Sequence, residues 1–207
     1  MTRPATAMRI HRIAAGTALA VLAWGALASP QAPPAGPAAA TVLGAAVDTT
    51  DPAALRDAIL TPLLDRYAAE RGIKAEPGET EAFVAQLRQG SPTPGLTAAE
   101  AAEVEAQRQA MARGIVRQWK INQALYAQYG GRLVYQQLGP EPLDAVLALL
   151  RQCQADRAFT IHDPRLAEEF WRYFTDESRH DFMAPGGADA ARAFKTPPWE
   201  DRSATGH

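Results

Sequence analysis

The side chains able to do chemistry are few, and their spacing limits what they can do. Beyond residue 28 only three histidines remain, His162, His180 and His207. Glu177 and His180 stand at i, i+3, the spacing with which one helix offers two ligands to a di-metal centre. Such a centre needs the motif twice plus two further carboxylates on neighbouring helices, and the sequence holds no second copy. Asp176, Glu177 and His180 can therefore complete at most a mononuclear metal site. The competing reading is an ordinary solvated polar helix end.

Nucleophilic and acid–base chemistry fares no better. Cys153 falls on the apolar face of a regular helix, with no Gly-rich or strained turn to present it, and reads as a buried, inert thiol. His162 follows a Phe-Thr-Ile run and precedes an Asp-Pro helix start, a structural setting. Glu168-Glu169 and Asp176-Glu177 are adjacent carboxylates, but neighbours in sequence point to different sides of a helix, whereas a general acid needs burial to raise its pKa. Ser91 and Ser178 lie outside any G-x-S-x-G context. The chain contains no G-x-G-x-x-G and no P-loop. The sequence thus assigns no catalytic residue and no cofactor; it reads more as a binding protein than as an enzyme, with a metal-binding protein or enzyme centred on Glu177 and His180 as the alternative.

Composition excludes further classes. One Cys in 207 residues rules out an intrachain disulfide and a Cys-rich zinc module. With 21 Lys+Arg against 23 Asp+Glu there is no excess positive field for a nucleic-acid backbone. Aromatic residues are instead concentrated between 119 and 174. Trp119, Tyr126, Tyr129, Trp171 and Phe174 are the candidate peptide-binding residues, because Trp171-Arg172-Tyr173-Phe174 places large rings on more than one helix face. The competing reading is a core finished by the C-terminal segment.

The elements that must position these residues read as helices. Asp51-Pro52 is an N-cap with Pro at N1, and Leu55, Ile59, Leu63 and Tyr67 form one stripe on a helix stopping at Gly72. Pro62 predicts a kink in it or two abutting helices. A shorter helix runs from Pro77 to Gln89, with Phe83, Val84 and Leu87 inward and Gly90 as stop. Thr97 and Glu100 form a capping box that opens the longest run, about 97–129, with Val104, Met111, Ile115, Trp119, Tyr126 and Tyr129 on one face. Its first half, rich in Ala, Glu and Gln, is expected to project or to pack on one neighbour only. Arg132–Leu138 is ambiguous between strand and helix, and helix is favoured for want of a partner strand. A further helix carries Leu143, Val146, Leu147, Leu150 and Cys153, and a last one opens at Asp163-Pro164 and ends near His180. The expected fold is all-α: an irregular bundle of five or six helices with one long central helix.

Residues 51–89 resemble the opening helix pair of the SurA-like exported foldases. The residues that carry it are Leu55, Ile59, Leu63 and Tyr67, then Gly72-Ile73-Lys74-Ala75, then Phe83-Val84. The likeness departs from the family where Glu76, Gly78 and Thr80 stand at the second helix's cap and just after it. It implies a helical chaperone lobe for unfolded or outer-membrane clients. No parvulin prolyl-isomerase domain follows, so it implies holdase or assembly-factor activity without isomerisation.

The ends complete the plan. Arg3, Arg9 and Arg12 precede the uncharged apolar stretch Ile13–Leu27, and Ala26-Leu27-Ala28 supplies an A-x-A cleavage site, with Ala38-Ala39-Ala40 as a fallback. About 15 apolar residues fall short of the ~20 a spanning helix needs. Residues 1–28 therefore read as a signal peptide, and an uncleaved anchor tethering an envelope protein is the alternative. Removing them takes away three Arg and no acid, leaving a formal charge of −5. Residues 29–50 read as a Pro/Ala-rich linker, 51–183 as the helical domain and 184–207 as a flexible tail. The expectation is an exported, periplasmic or extracytoplasmic protein that binds unfolded polypeptide, with no nucleic-acid partner and no stable membrane insertion after signal cleavage.

Overall fold

The computed structural model describes residues 38–90, 95–136 and 139–200. The signal-peptide reading and the first part of the linker, up to residue 37, lie outside them, as does the end of the tail from 201.

The fold is mostly α. Six helices are described: α1 Pro52–Glu70, α2 Pro77–Gly90, α3 Ala98–Tyr129, α4 Leu143–Ala155, α5 Pro164–Thr175 and the short α6 Ala188–Arg192. Local chemistry sets most of their starts. Asp51 accepts from the amides of Ala53 and Ala54, and Asp163 from those of Arg165 and Leu166, each ahead of a Pro at the first helical position. Thr97 and Glu100 close the reciprocal capping box of α3. Pro62 does not divide α1, which runs unbroken across it. The apolar stripe Leu55, Ile59, Leu63 and Tyr67 is buried on both sides of the proline, and this packing offsets the lost backbone bond.

Three expectations are corrected. First, part of the presumed linker is folded: β1 Ala40–Val42 and β2 Ala45–Val47 form a hairpin, and β3 Phe159–Ile161 pairs antiparallel with β1 in a sheet of order β2-β1-β3. Leu43 and Gly44 both have positive φ, the requirement of a two-residue turn whose twist matches the strands. Ala40 and Val42 are buried, and their side chains seal the end of the core beside α1. The sheet is small, and the protein remains a helical one.

Second, Arg132–Gln136 is extended rather than helical. Val134 bridges Glu141 on one side and Phe182 on the other. Met183 donates its amide to Leu133 O at 2.8 Å, and Tyr135 donates to Asp181 O at 2.9 Å. The partner strand is only Asp181-Phe182-Met183, too short to register as a strand by pattern.

Third, the segment after residue 183 is docked rather than free through residue 200. Phe194 and Trp199 are buried, and α6 follows the turn Pro185-Gly186-Gly187. The last long helix also ends earlier than expected, at Thr175, with a 3₁₀ turn over Glu177–Arg179.

These corrections divide the interior into two apolar clusters. The larger joins the hairpin, α1, the C-terminal part of α3, α4, β3 and α5, with Phe159 and Phe170 at its centre. The smaller joins Val116 and Trp119 of α3 to Leu133, Met183, Phe194 and Trp199. The wall between them is the extended pair around Val134 and Phe182. Side chains alternate along a strand, so Val134 and Phe182 face the large cluster while Leu133 and Met183 face the small one. The N-terminal half of α3 packs on α2, where Arg88 pairs with Glu105, in keeping with the single neighbour expected for it.

Candidate functional site

The five rings singled out as a peptide-binding patch do not form one. Trp119 and Tyr126 belong to the small cluster, whereas Tyr129, Trp171 and Phe174 belong to the large one. Trp119 is 6% exposed and Phe174 3%. Trp119 packs edge-on against Trp199 and Phe194, with ring centroids 5.2 and 5.7 Å away. Trp171 is half-buried against Phe170 and Phe159. Tyr129 donates its hydroxyl to Gln152 at 2.7 Å. These rings finish the two cores.

The Asp176, Glu177 and His180 group is likewise engaged. Asp176 accepts from the backbone N–H and the hydroxyl of Ser178, and these bonds hold its carboxyl below the usual Asp value. Glu177 pairs with Arg132 at 2.6 Å. His180 has Nε2 2.5 Å from the carbonyl oxygen of Tyr173, which fixes the ring edge-on to that tyrosine. Among the described residues no group of three His, Cys, Asp or Glu side chains could hold a metal ion. Cys153 is buried, burial pushes its thiol up, and Arg66 approaches the sulfur at 3.6 Å. His162 is bonded to the Thr41 hydroxyl at 2.9 Å and ties β3 to the hairpin. Glu168 and Glu169 both pair with Arg172.

What the fold builds instead is a groove along the middle of α3. On one side of Trp119 a cavity of about 330 Å³ is walled by Leu60 and Leu64 of α1, Ile115 of α3 and Val146 of α4. Gln118, Asn122, Gln136 and Glu141 bring polar groups to it. On the other side lies a second cavity of about 490 Å³, between α2, α3 and the C-terminal segment, with Phe83, Ile115, Tyr135, Met183 and Phe194 in its lining. Ile115, Trp119 and Gly139 border both. Met111, 54% exposed, lies one turn before Ile115, and Tyr135 is 45% exposed. Periodicity puts Met111 on the same face of α3 as Ile115 and Trp119. The buried positions there are Ala112, Ile115, Val116 and Trp119.

Gly114 is the residue that sequence reasoning missed. It sits in the interior of a 32-residue helix and lines the first cavity. A glycine there costs roughly 0.5–1 kcal/mol relative to alanine. No positive φ requires it, and a Cβ built on it would meet nothing within 4 Å. Neither the helix nor the packing of the described residues requires a glycine here, and the position opens on the groove. The available signal was a lone glycine in an Ala-, Gln- and Arg-rich helical run.

Glu141 is the charged group of the same cavity. Its backbone is fixed by bonds in both directions with Val134, at 2.9 and 3.2 Å, and Pro142 and α4 follow at once. Gln136 donates to one carboxylate oxygen at 3.0 Å. Burial pushes the Glu141 carboxyl above its ordinary value, against smaller opposing effects from Gln136, His180 and Arg56.

Among the described residues no helix is long and apolar enough to cross a membrane. Comparison with protein-family models, with curated proteins and with solved structures finds no match to this chain.

Proposed function

We propose that this chain is an exported, helical polypeptide-binding protein, a holdase or assembly factor without isomerase activity, and that its client lies in the groove beside Gly114. The observation that carries the reading is the groove itself: Gly114, exposed and with no described residue within 4 Å of a Cβ built on it, borders a solvent-open, mostly apolar cavity. Apolar walls with a few amide side chains at the rim suit an extended peptide. The walls take alternate side chains; Gln118 Nε2 donates to Asn122 Oδ1 at 2.8 Å and Asn122 Nδ2 to Pro140 O at 3.2 Å, so the group offered to a client amide is the Gln118 carbonyl oxygen. The chaperone part of the reading rests on the resemblance of residues 51–89 to the opening helix pair of SurA-like foldases. The groove replaces the patch of Trp119, Tyr126, Tyr129, Trp171 and Phe174 as the binding surface, and Trp119 is the one of those rings that borders it.

Export rests on the basic and apolar leader. Cleavage after Ala28 is favoured over cleavage after Ala40, because Ala39 and Ala40 are buried and Ala39 O accepts from the amide of His162 at 2.8 Å. Intact mass of the exported form separates the two sites, and an unshortened mass identifies the tethered envelope protein instead.

The binding experiment uses the exported protein expressed from the full-length sequence. It should suppress aggregation of a chemically unfolded client at near-stoichiometric ratio, and Gly114→Leu should abolish the effect by filling the groove while leaving thermal stability unchanged or raised. Full suppression by a folded Gly114→Leu variant overturns the groove as the client site.

A further inference from the structure

We infer that the groove selects polypeptide segments in which a Lys or Arg neighbours an apolar side chain, with the Glu141 carboxylate receiving the cation. The inference rests on the reading of the groove as a client site and adds the chemical class of the client.

Position is the first ground. Glu141 shares its cavity with Leu60, Leu64 and Ile115, so one ligand segment can place an aliphatic group on those walls and a cation on the carboxylate. The backbone of Glu141 is held by the Val134 pairing and by the start of α4, which makes the carboxylate a fixed acceptor rather than a mobile surface charge.

Incomplete neutralisation is the second. Among the described residues the carboxylate receives one hydrogen bond, from Gln136, and makes no ion pair. A carboxylate can accept about four. Arg56 and His180 lie near it, but both side chains are engaged elsewhere. The Arg56 guanidinium lies 3.9 Å over the Tyr173 ring, and His180 is bonded to the Tyr173 carbonyl. The ionised group is thus taken partly out of water without a full set of partners, a state that an incoming guanidinium or ammonium relieves. Neighbouring carboxylates differ in this respect: Asp144 and Glu177 both pair with Arg132, and Glu79 pairs with Lys120.

The test is a set of fluorescent apolar peptides identical except for one central residue, Arg, Gln or Glu, titrated onto the exported protein, its Glu141→Gln variant and a Glu103→Gln control that removes the same charge from an exposed site on α3. The Arg peptide should bind the wild-type protein about tenfold more tightly than the Gln peptide, with the Glu peptide weakest. The three should converge in Glu141→Gln and remain separated in Glu103→Gln. Equal, tight binding of the Arg and Gln peptides to the wild-type protein overturns the cation preference and leaves the groove as a client site. Discrimination that survives in Glu141→Gln overturns the assignment to this residue. Failure of every peptide to bind overturns both readings together.

Discussion

The two apolar clusters are built from the same kinds of side chain but are held in different ways. In the large one, Phe159, Phe170, Trp171 and Phe174 pack on one another and are clamped by α1, α4, α5 and the sheet, elements far apart in sequence. In the small one, Trp119 is covered by Phe194 and Trp199 from a single C-terminal segment, fastened by few side-chain bonds: Gln123 to Phe194 O and Tyr135 to Asp189. Phe194 also carries a positive φ, unfavourable for a bulky residue. The large cluster therefore sets global stability. The small one is a local closure beside the groove, and the low-stability end of a structure is where binding surfaces are drawn from.

The sharpest way to break the comparison is to truncate one ring in each cluster. Phe170 is 1% exposed and contacts rings on both sides. Phe170→Ala should cost about 3–5 kcal/mol and lower the midpoint of the whole unfolding transition. Trp199→Ala should cost at most about 2 kcal/mol, because the C-terminal segment can open on its own and so limits the loss. Amide exchange by residues 188–199 should then accelerate while α1, α4 and α5 stay protected. Equal losses with uniform loss of protection would show one cooperative core rather than two.

A mid-sized effect tests the wall between them. Arg132 donates from its backbone N–H, Nε and Nη2 to Asp144, pairs with Glu177, and lies 4.3 Å over the Phe182 ring. Burial alone would raise the Asp144 carboxyl, but the Arg132 bonds outweigh it and hold the group below its ordinary value. A carboxylate with a depressed folded-state pKa gives stability that is present above the unfolded-state value, about 3.9, and is lost as pH falls through the folded one. Asp144→Asn should thus cost about 1–2 kcal/mol at neutral pH, and the difference from wild type should shrink below about pH 4. A difference that stays constant into acid would show that Asp144 acts by shape and not by charge.

Both kinds of information were in the sequence, but only one was readable there. Asp51-Pro52, Thr97 with Glu100, Gly72, Gly130 and Asp163-Pro164 act on backbone groups a few residues away, so the helices they bound could be placed from type and spacing. β1 needs Phe159–Ile161, Val134 needs Phe182, and Trp119 needs Trp199. Each of these depends on a partner distant in the chain, and none has a local signature strong enough to announce it. The site failed for a related reason. For Trp119 and Phe174 the sequence leaves an exposed patch and a finished core both open, and only partners distant in the chain decide for the core, while nothing local marks Leu60 and Leu64 as walls of a cavity.

The smallest effect separates the groove from everything else. In the helix interior Ala is favoured over Gly by roughly 0.5–1 kcal/mol, and the methyl of Gly114→Ala would enter open space. Thermal or denaturant unfolding should therefore show a gain of that size, with the client still bound, since a methyl occupies little of a cavity of about 330 Å³. Gly114→Leu should keep the gain and lose the client. A protein that grows more stable as its groove is filled, and less able to bind, is one in which a small residue at 114 serves the site and not the fold. Destabilisation by Gly114→Ala would mean that the groove is closed in solution, and the contrast between a rigid core and an adaptable binding flank would have to be redrawn around the second cavity.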